Sequence, residues 1–274
     1  MQEYFFENSE NKIYYRKNEF KPDRLTLVFS HGVSGSSSAW LPYQKIFQNK
    51  YNLLFYDIRG HGLSKKYPHY EDYEIKNFAN DLHDLISYLG IHKFILISNS
   101  FAALITLEYL KQWREDVIGN VFTSPAIFTN EGFSAKIFRP ILKLLVKIIN
   151  FLPFNPKPRG QVDYRNHQNS TDWDIKRNFA DIRNTGLHSQ FYTLKQIFTE
   201  GQKYDLEKIK VPTLIIHGEK DSLVPIKNAI KMSKEIKNCE FIIIPKTNHN
   251  SVHNAVKEMS QAIENFIEKN KKSF

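Results

Sequence analysis

Phe94-Ile95-Leu96-Ile97-Ser98-Asn99-Ser100-Phe101-Ala102-Ala103 is the stretch that decides the fold. The unbroken apolar run Phe94–Ser98 reads as a strand buried on both faces of a parallel sheet. Ala102 and Ala103 open a helix directly behind it. A serine at position 100 then sits on a tight strand-to-helix turn, with its side chain above the sheet. It also sits at a helix N-terminus, where free N–H groups favour developing negative charge. The turn brings together the residues two before and two after, so both must be small. Ser98 and Ala102 satisfy this for Ser100. A nucleophile at Ser98 would put the bulky Leu96 in that place. A serine that merely caps a helix gives the same local pattern, so the reading needs partners elsewhere in the chain.

Working outward, short runs rich in Val, Ile, Leu and Phe recur at Leu25–Ser30, Asn52–Tyr56, Lys93–Ser98 and Ile118–Thr123. Ala39–Gln48, Tyr73–Leu89 and Phe101–Trp113 lie between them and read as helices. Glu3–Glu7 and Lys12–Arg16 read as an N-terminal hairpin. This alternation predicts an α/β fold, a mostly parallel sheet of about eight strands with helices on both faces. The pattern breaks after Ser124. Residues 127–209 read as helical segments and loops, with an extended turn at Pro153, Pro156 and Pro158. Strands resume at Thr213–His217 and Glu240–Ile244, and Val252–Lys269 closes as a helix. The expected organisation is one core, residues 1–126 and 210–274, with a helical cap at 127–209.

Serine needs a base, and the base needs orienting. His249 follows the strand Glu240–Ile244, and Asp221 follows the strand Thr213–His217. Reactive groups of open α/β sheets collect beyond such carboxyl ends. Ser100, Asp221 and His249 are therefore the candidate catalytic residues. His253 and Glu219 compete with His249 and Asp221. His31, His61 and His217 each adjoin glycine and are read as satisfying loop backbone. Cys239, the sole cysteine, has no basic, glycine-rich surroundings that would activate it. The Phe101 amide is one candidate oxyanion donor. The Val33 amide, in His31-Gly32-Val33-Ser34-Gly35, is the second, since Gly32 and Gly35 let that backbone turn. The loop lacks the Gly-Lys-Ser/Thr of a phosphate loop.

The 274 residues are 41% hydrophobic and 24% charged, which excludes disorder as the dominant state. One cysteine excludes a disulfide framework and a thiolate zinc site. The start of the chain carries acidic residues and no long apolar run, so no secretory signal is expected. With no apolar stretch of about 18 residues, no membrane span is expected either. A cytoplasmic location follows as the expectation. The net charge of +9 admits anionic partners. No aromatic-interleaved basic motif supports nucleic acid.

Taken together, these motifs resemble the α/β-hydrolase superfamily over nearly the whole chain. His31-Gly32-Val33, the run Tyr56-Asp57-Ile58-Arg59-Gly60-His61-Gly62-Leu63-Ser64, the Ser100 turn, His217-Gly218-Glu219-Lys220-Asp221 and Asn248-His249 carry the resemblance. The Tyr56–Ser64 run resembles a structural turn of its capped, esterase-like members. The order Ser, Asp, His is that of the family's triad. Ser98 and Ala102 replace the glycines of its usual Gly-x-Ser-x-Gly. Haloalkane dehalogenases and epoxide hydrolases place aspartate where Ser100 stands. Proline iminopeptidases carry a Gly-Gly-Ser-Trp-Gly turn that is absent here. What the resemblance implies is a cofactor-free, metal-free serine hydrolase similar to monoacylglycerol lipases, lysophospholipases and small carboxylesterases. A serine-dependent C–C hydrolase, a thioesterase and a non-catalytic binding protein of the same fold are the alternatives.

Within the cap, Lys136, Arg139, Lys143 and Lys147 recur at helical spacing. Ile137, Ile141, Leu144, Leu145 and Ile148 fall opposite. Ile137, Ile141 and Leu145 are expected to roof the site and contact the acyl part of a small ester substrate. The same basic, amphipathic helix also suits peripheral contact with an anionic membrane surface. The sequence sets no oligomeric state.

Overall fold

The apolar runs pair into one sheet. A computed structural model describes residues 1–129, 132–199 and 204–274, with the side chains of 132–134 left out. Its eight strands are β1 (Gln2–Glu7), β2 (Lys12–Lys17), β3 (Thr26–Ser30), β4 (Asn52–Tyr56), β5 (Phe94–Asn99), β6 (Val117–Thr123), β7 (Thr213–Gly218) and β8 (Cys239–Ile244). They lie in the order β1-β2-β4-β3-β5-β6-β7-β8. β1 and β2 are antiparallel, as are β2 and β4. All later pairings are parallel.

Alternation along each strand divides the core between two faces. Val28, Leu54 and Leu96 join one cluster, built with α2 (Ile75–Tyr88) and α3 (Ala102–Gln112) through Phe78, Leu82 and Ile105. Leu27, Phe29 and Ile97 join the other, with Tyr43 and Phe47 of α1 (Leu41–Phe47) and a closing helix. Every residue of β3, β4 and β7 is buried, which is why these strands read as continuous apolar runs.

Between β6 and β7 the described residues form no strand. They form α4 (Gly132–Ile149), α5 (Ile175–Thr185) and α6 (Leu187–Ile197), and α4 packs on α6. After β7 come α7 (Ile226–Glu235), a short α8 (Ser251–Asn254) and α9 (Val256–Asn270). The closing helix is thus broken in two at Ala255, whose backbone leaves the helical region.

α4 turns a different face inward from the one expected. It buries Ala135, Leu142, Val146 and Ile149, whereas Ile137, Phe138, Ile141, Leu144 and Ile148 are exposed. Arg139 leaves the expected basic stripe and donates from Nε to the Phe198 carbonyl at 2.9 Å.

Asp57, just beyond β4, organises the loops at this end of the sheet. It accepts from the amides of Ser37 (2.6 Å) and Leu63 (2.8 Å). Gln161 reaches down from the insertion and donates to both its oxygens, at 3.0 and 2.8 Å. Lys66 makes a second tie, donating to the carbonyls of Gly60 (2.9 Å) and Thr185 (2.5 Å). Thr185 ends α5, where a cation complements the helix dipole. Burial and the charge of Arg159 push Lys66 down to about 8.

Gly62 is forced by this arrangement. Its φ is +50°, and a Cβ there would fall 2.0 Å from Asp57 Oδ2. Gly62→Ala should therefore lower stability by about 2–3 kcal/mol, read as a drop in the urea midpoint. An unchanged midpoint would contradict the packing around Asp57.

Candidate functional site

Ser100 stands between the ends of three strands. It follows β5 at φ +52° and is 8% exposed. Its amide donates to the Thr123 carbonyl of β6 at 2.9 Å. Its own carbonyl accepts from the amides of Ala103 and Ala126, both at 3.1 Å. From the β3 side, Gly32 approaches so closely that a Cβ would lie 3.1 Å from Ser100 Cβ. Ser98 and Ala102 are both fully buried, and the Ser98 hydroxyl pairs with that of Thr106. Small side chains at 98 and 102 thus do what the sequence required of them.

The loops after β7 and β8 bring the other two residues to it. His249 Nε2 lies 3.0 Å from Ser100 Oγ, and its Nδ1 lies 2.8 Å from Asp221 Oδ2. The Asp221 side chain is fully buried. Its Oδ1 accepts from the amides of Leu223 (3.0 Å) and Val224 (2.9 Å). Burial pushes the Asp221 carboxyl up, but the hydrogen bond and charge of His249 outweigh it, with help from Val224 and His217. The group is held below its ordinary value. An ionised Asp221 accepts a hydrogen bond from the Nδ1–H of His249, which leaves the Nε2 lone pair facing the Ser100 hydroxyl. In that chain a proton can pass from Oγ to imidazole as the oxygen attacks an electrophile.

The competing residues are engaged elsewhere. Glu219 accepts from the Lys246 amide at 2.7 Å. His253 stacks on Tyr164 with centroids 4.0 Å apart, and burial pushes its imidazole down to about 3. His31, His61 and His217 serve the loops. His31 Nδ1 donates to the Gly32 carbonyl while Nε2 accepts from the Ile58 amide. His61 donates to the Arg59 carbonyl, and His217 to that of Val224. Burial and Glu240 push the Cys239 thiol up to about 12, so it carries no thiolate at neutral pH.

Phe101 follows Ser100 directly and Val33 follows Gly32, and neither amide has a backbone acceptor among the described residues. The insertion holds the loop that carries Val33. Ser34 Oγ donates to Gln190 Oε1 at 2.6 Å, and Thr185 Oγ1 donates to the Ser34 carbonyl at 3.1 Å. Of the three expected substrate contacts, Ile137 and Ile141 face solvent and Leu145 is half-buried on α4. α4 has apolar residues on two faces, and packing on α6 selected the other one.

One residue with a clear part in this geometry was not anticipated. Asp172, in the insertion, is buried and ties the Asp221 and His249 loops together. Its Oδ1 accepts from the His249 amide at 2.8 Å. Its Oδ2 accepts from the Ser222 amide (2.9 Å) and hydroxyl (2.8 Å), next to Asp221. Neighbouring carbonyls add to the clamp: Ser170 accepts from Asn248 Nδ2 at 2.8 Å, and Thr171 from Asn250 Nδ2 at 3.1 Å. In the sequence Asp172 is one of two aspartates in Thr-Asp-Trp-Asp, with nothing to set it apart.

A family model described as the alpha/beta hydrolase fold matches residues 26–255, from β3 to the start of the closing helices. A putative non-heme chloroperoxidase of Synechocystis sp. is 28% identical over 235 residues, covering 81% of this chain and 84% of that protein. Monoacylglycerol lipase ABHD6 of Homo sapiens is 24% identical over 263 residues, covering 90% and 75%. Among solved structures, a thermophilic esterase from Thermogutta terrifontis superposes with a TM-score of 0.73. It shares 16% identity and covers 98% of this chain and 99% of its own, a likeness of fold. The chain belongs to the alpha/beta hydrolase family.

Proposed function

We propose that the chain is a serine hydrolase of carboxylic esters, with Ser100 as nucleophile, His249 as acid and base, and Asp221 as the group that orients His249. The observation that carries this reading is the continuous hydrogen-bonded chain from Ser100 Oγ through His249 to the buried Asp221. Ser100 attacks the ester carbonyl while His249 Nε2 takes its proton. The amides of Val33 and Phe101 hold the oxyanion, each worth about 3–4 kcal/mol in the barrier. His249 then gives the proton to the leaving alcohol. Water, activated by the same imidazole, attacks the acyl-enzyme and releases the acid. Asp221 stays ionised throughout and stabilises the imidazolium. The insertion between β6 and β7 acts as a cap over this end of the sheet. An acyl-chain ester, of the monoacylglycerol or lysophospholipid kind, is the substrate class that the lipase relative favours.

Three outcomes test this reading. A fluorophosphonate probe should label the protein, and Ser100→Ala should abolish both labelling and p-nitrophenyl butyrate hydrolysis, by roughly 10⁵–10⁶-fold in kcat. Full activity in that variant would end the assignment, as would absence of labelling in the wild type. Asp172→Asn keeps the shape but loses one acceptor of the clamp. It should cut kcat by about 10–100-fold while KM for a short ester stays within a factor of about two. Unchanged kcat would remove Asp172 from the positioning of the site.

The third concerns pH. Asp221 is depressed in the fold below its ordinary 3.8. Between the two values the unfolded chain binds the extra proton, so stability rises with pH there. The contribution is full above pH 3.8 and is lost as pH falls through the folded value. Urea midpoints of wild type and Asp221→Asn should therefore converge on acidification below that point. A constant gap would show that the depression is absent.

A further inference from the structure

α4 carries two apolar faces, and the fold uses one. Ala135, Leu142, Val146 and Ile149 pack inward. Roughly a third of a turn away, Ile137, Ile141, Leu144 and Ile148 form a stripe along the exposed side, with Ile141 47% and Leu144 59% exposed. The chain leaving the helix continues the surface, with Phe151 81% exposed and Leu152 beside it. A contiguous apolar surface of this kind is uncommon on a monomer and marks a contact.

Charge says what it contacts. Lys136, Lys143 and Lys147 line one edge of the stripe, are exposed, and make no ion pair among the described residues. Residues 132–162 contain six Lys or Arg and no Asp or Glu. Residues 127–209 hold 13 basic and 8 acidic residues, so they carry 13 − 8 = +5 of the net +9. A protein surface that matched an apolar stripe would also have to neutralise this one-signed edge. An anionic lipid surface offers both parts at once. Acyl chains meet the isoleucines and leucines, and phosphates meet the lysine ammonium groups at the ends of their flexible stems. No helix among the described residues is long and apolar enough to cross a membrane, so the contact would be peripheral.

We propose that the exposed face of α4, from Ile137 to Leu152, docks the protein on an anionic phospholipid surface. The face is separate from Ser100 and its partners, so docking can be read without turnover and does not stand or fall with the ester-hydrolase reading.

The test is flotation of the full chain with vesicles of phosphatidylcholine alone, or with roughly 30% phosphatidylglycerol added. The bound fraction should be at least about ten-fold higher on the anionic vesicles, and about 0.5 M salt should reverse most of the difference. Leu144→Asp with Ile148→Asp, and separately Lys143→Glu with Lys147→Glu, should each lower binding about ten-fold. Thermal melts and fluorophosphonate labelling of Ser100 in both pairs should match the wild type. Failure of the wild type to float with anionic vesicles overturns the proposal, whatever the variants do. So does equal binding by wild type and variants. A wild type that is dimeric by light scattering, made monomeric by the aspartate pair and indifferent to vesicles, would assign the face to a second copy and overturn it as well.

Discussion

The site depends on one constraint: three strand ends converge on a serine held at positive φ. A left-handed conformation costs a non-glycine residue roughly 1–2 kcal/mol, and Ser100 adopts it at +52°. The surroundings hold it there. Its amide and carbonyl are both satisfied, across to Thr123 of β6 and back from Ala103 and Ala126. Gly32 closes in from β3, where a Cβ would be crowded against Ser100 and Asn99 at 3.1–3.3 Å. β5 must therefore lie between β3 and β6, and residues 32, 98 and 102 must stay small. The strand order and the reactive geometry are the same requirement expressed at two scales.

The second requirement is that His249 and Asp221, 28 residues apart in sequence, arrive in register beside that serine. β7 and β8 pair in parallel, with His217 opposite Ile243 and Gly218 opposite Ile244, so the two following loops start level. Beyond the strands the Lys220 amide donates to the Thr247 carbonyl at 2.8 Å and joins the two loops directly. Asp172 adds a second tie by accepting from His249 on one oxygen and from Ser222 on the other. A buried carboxylate fed by such N–H and O–H donors is well satisfied. The insertion thus takes part in holding His249 and Asp221 together. A movement that lifted residues 170–173 would loosen their alignment. A movement of α4 against α6 would leave that strap in place.

Much of this was legible in the sequence, for physical reasons that also set the limit. β3, β4 and β5 are buried on both faces, so each announces itself as a run of Val, Ile, Leu and Phe, and their observed ends fall within about a residue of those read from the chain. The Ser98–Ala102 turn was legible because its steric demand is local. α7 was not anticipated. Its buried side rests on Asn228, Ala229 and Met232, a weak apolar signal between two strands. The inward face of α4 could not be chosen locally, since Leu142-Val146-Ile149 and Ile137-Ile141-Leu144-Ile148 both recur at helical spacing, and only α6 decides between them. Asp172 was silent because its partners are main-chain amides and side chains at least 50 residues away, which leave no pattern in the residues around it.

The distribution of charge follows from the same division of labour. Among the described residues of the insertion, several acidic side chains are spent on internal structure. Asp172 holds the Asp221 and His249 loops, and Asp174 caps α5 through the Arg177 amide. Asp181 takes Arg177 and the Tyr164 hydroxyl, and Asp163 takes Arg165. Arg139 and Lys66 are likewise consumed by carbonyls. Left at the surface is a row of lysines on α4, which no carboxylate between residues 132 and 162 balances. The +9 of the whole chain is therefore not an even coat of solvated lysine. Lys136, Lys143 and Lys147 lie on a helix whose exposed side is also apolar, and those two properties come from the same 18 residues.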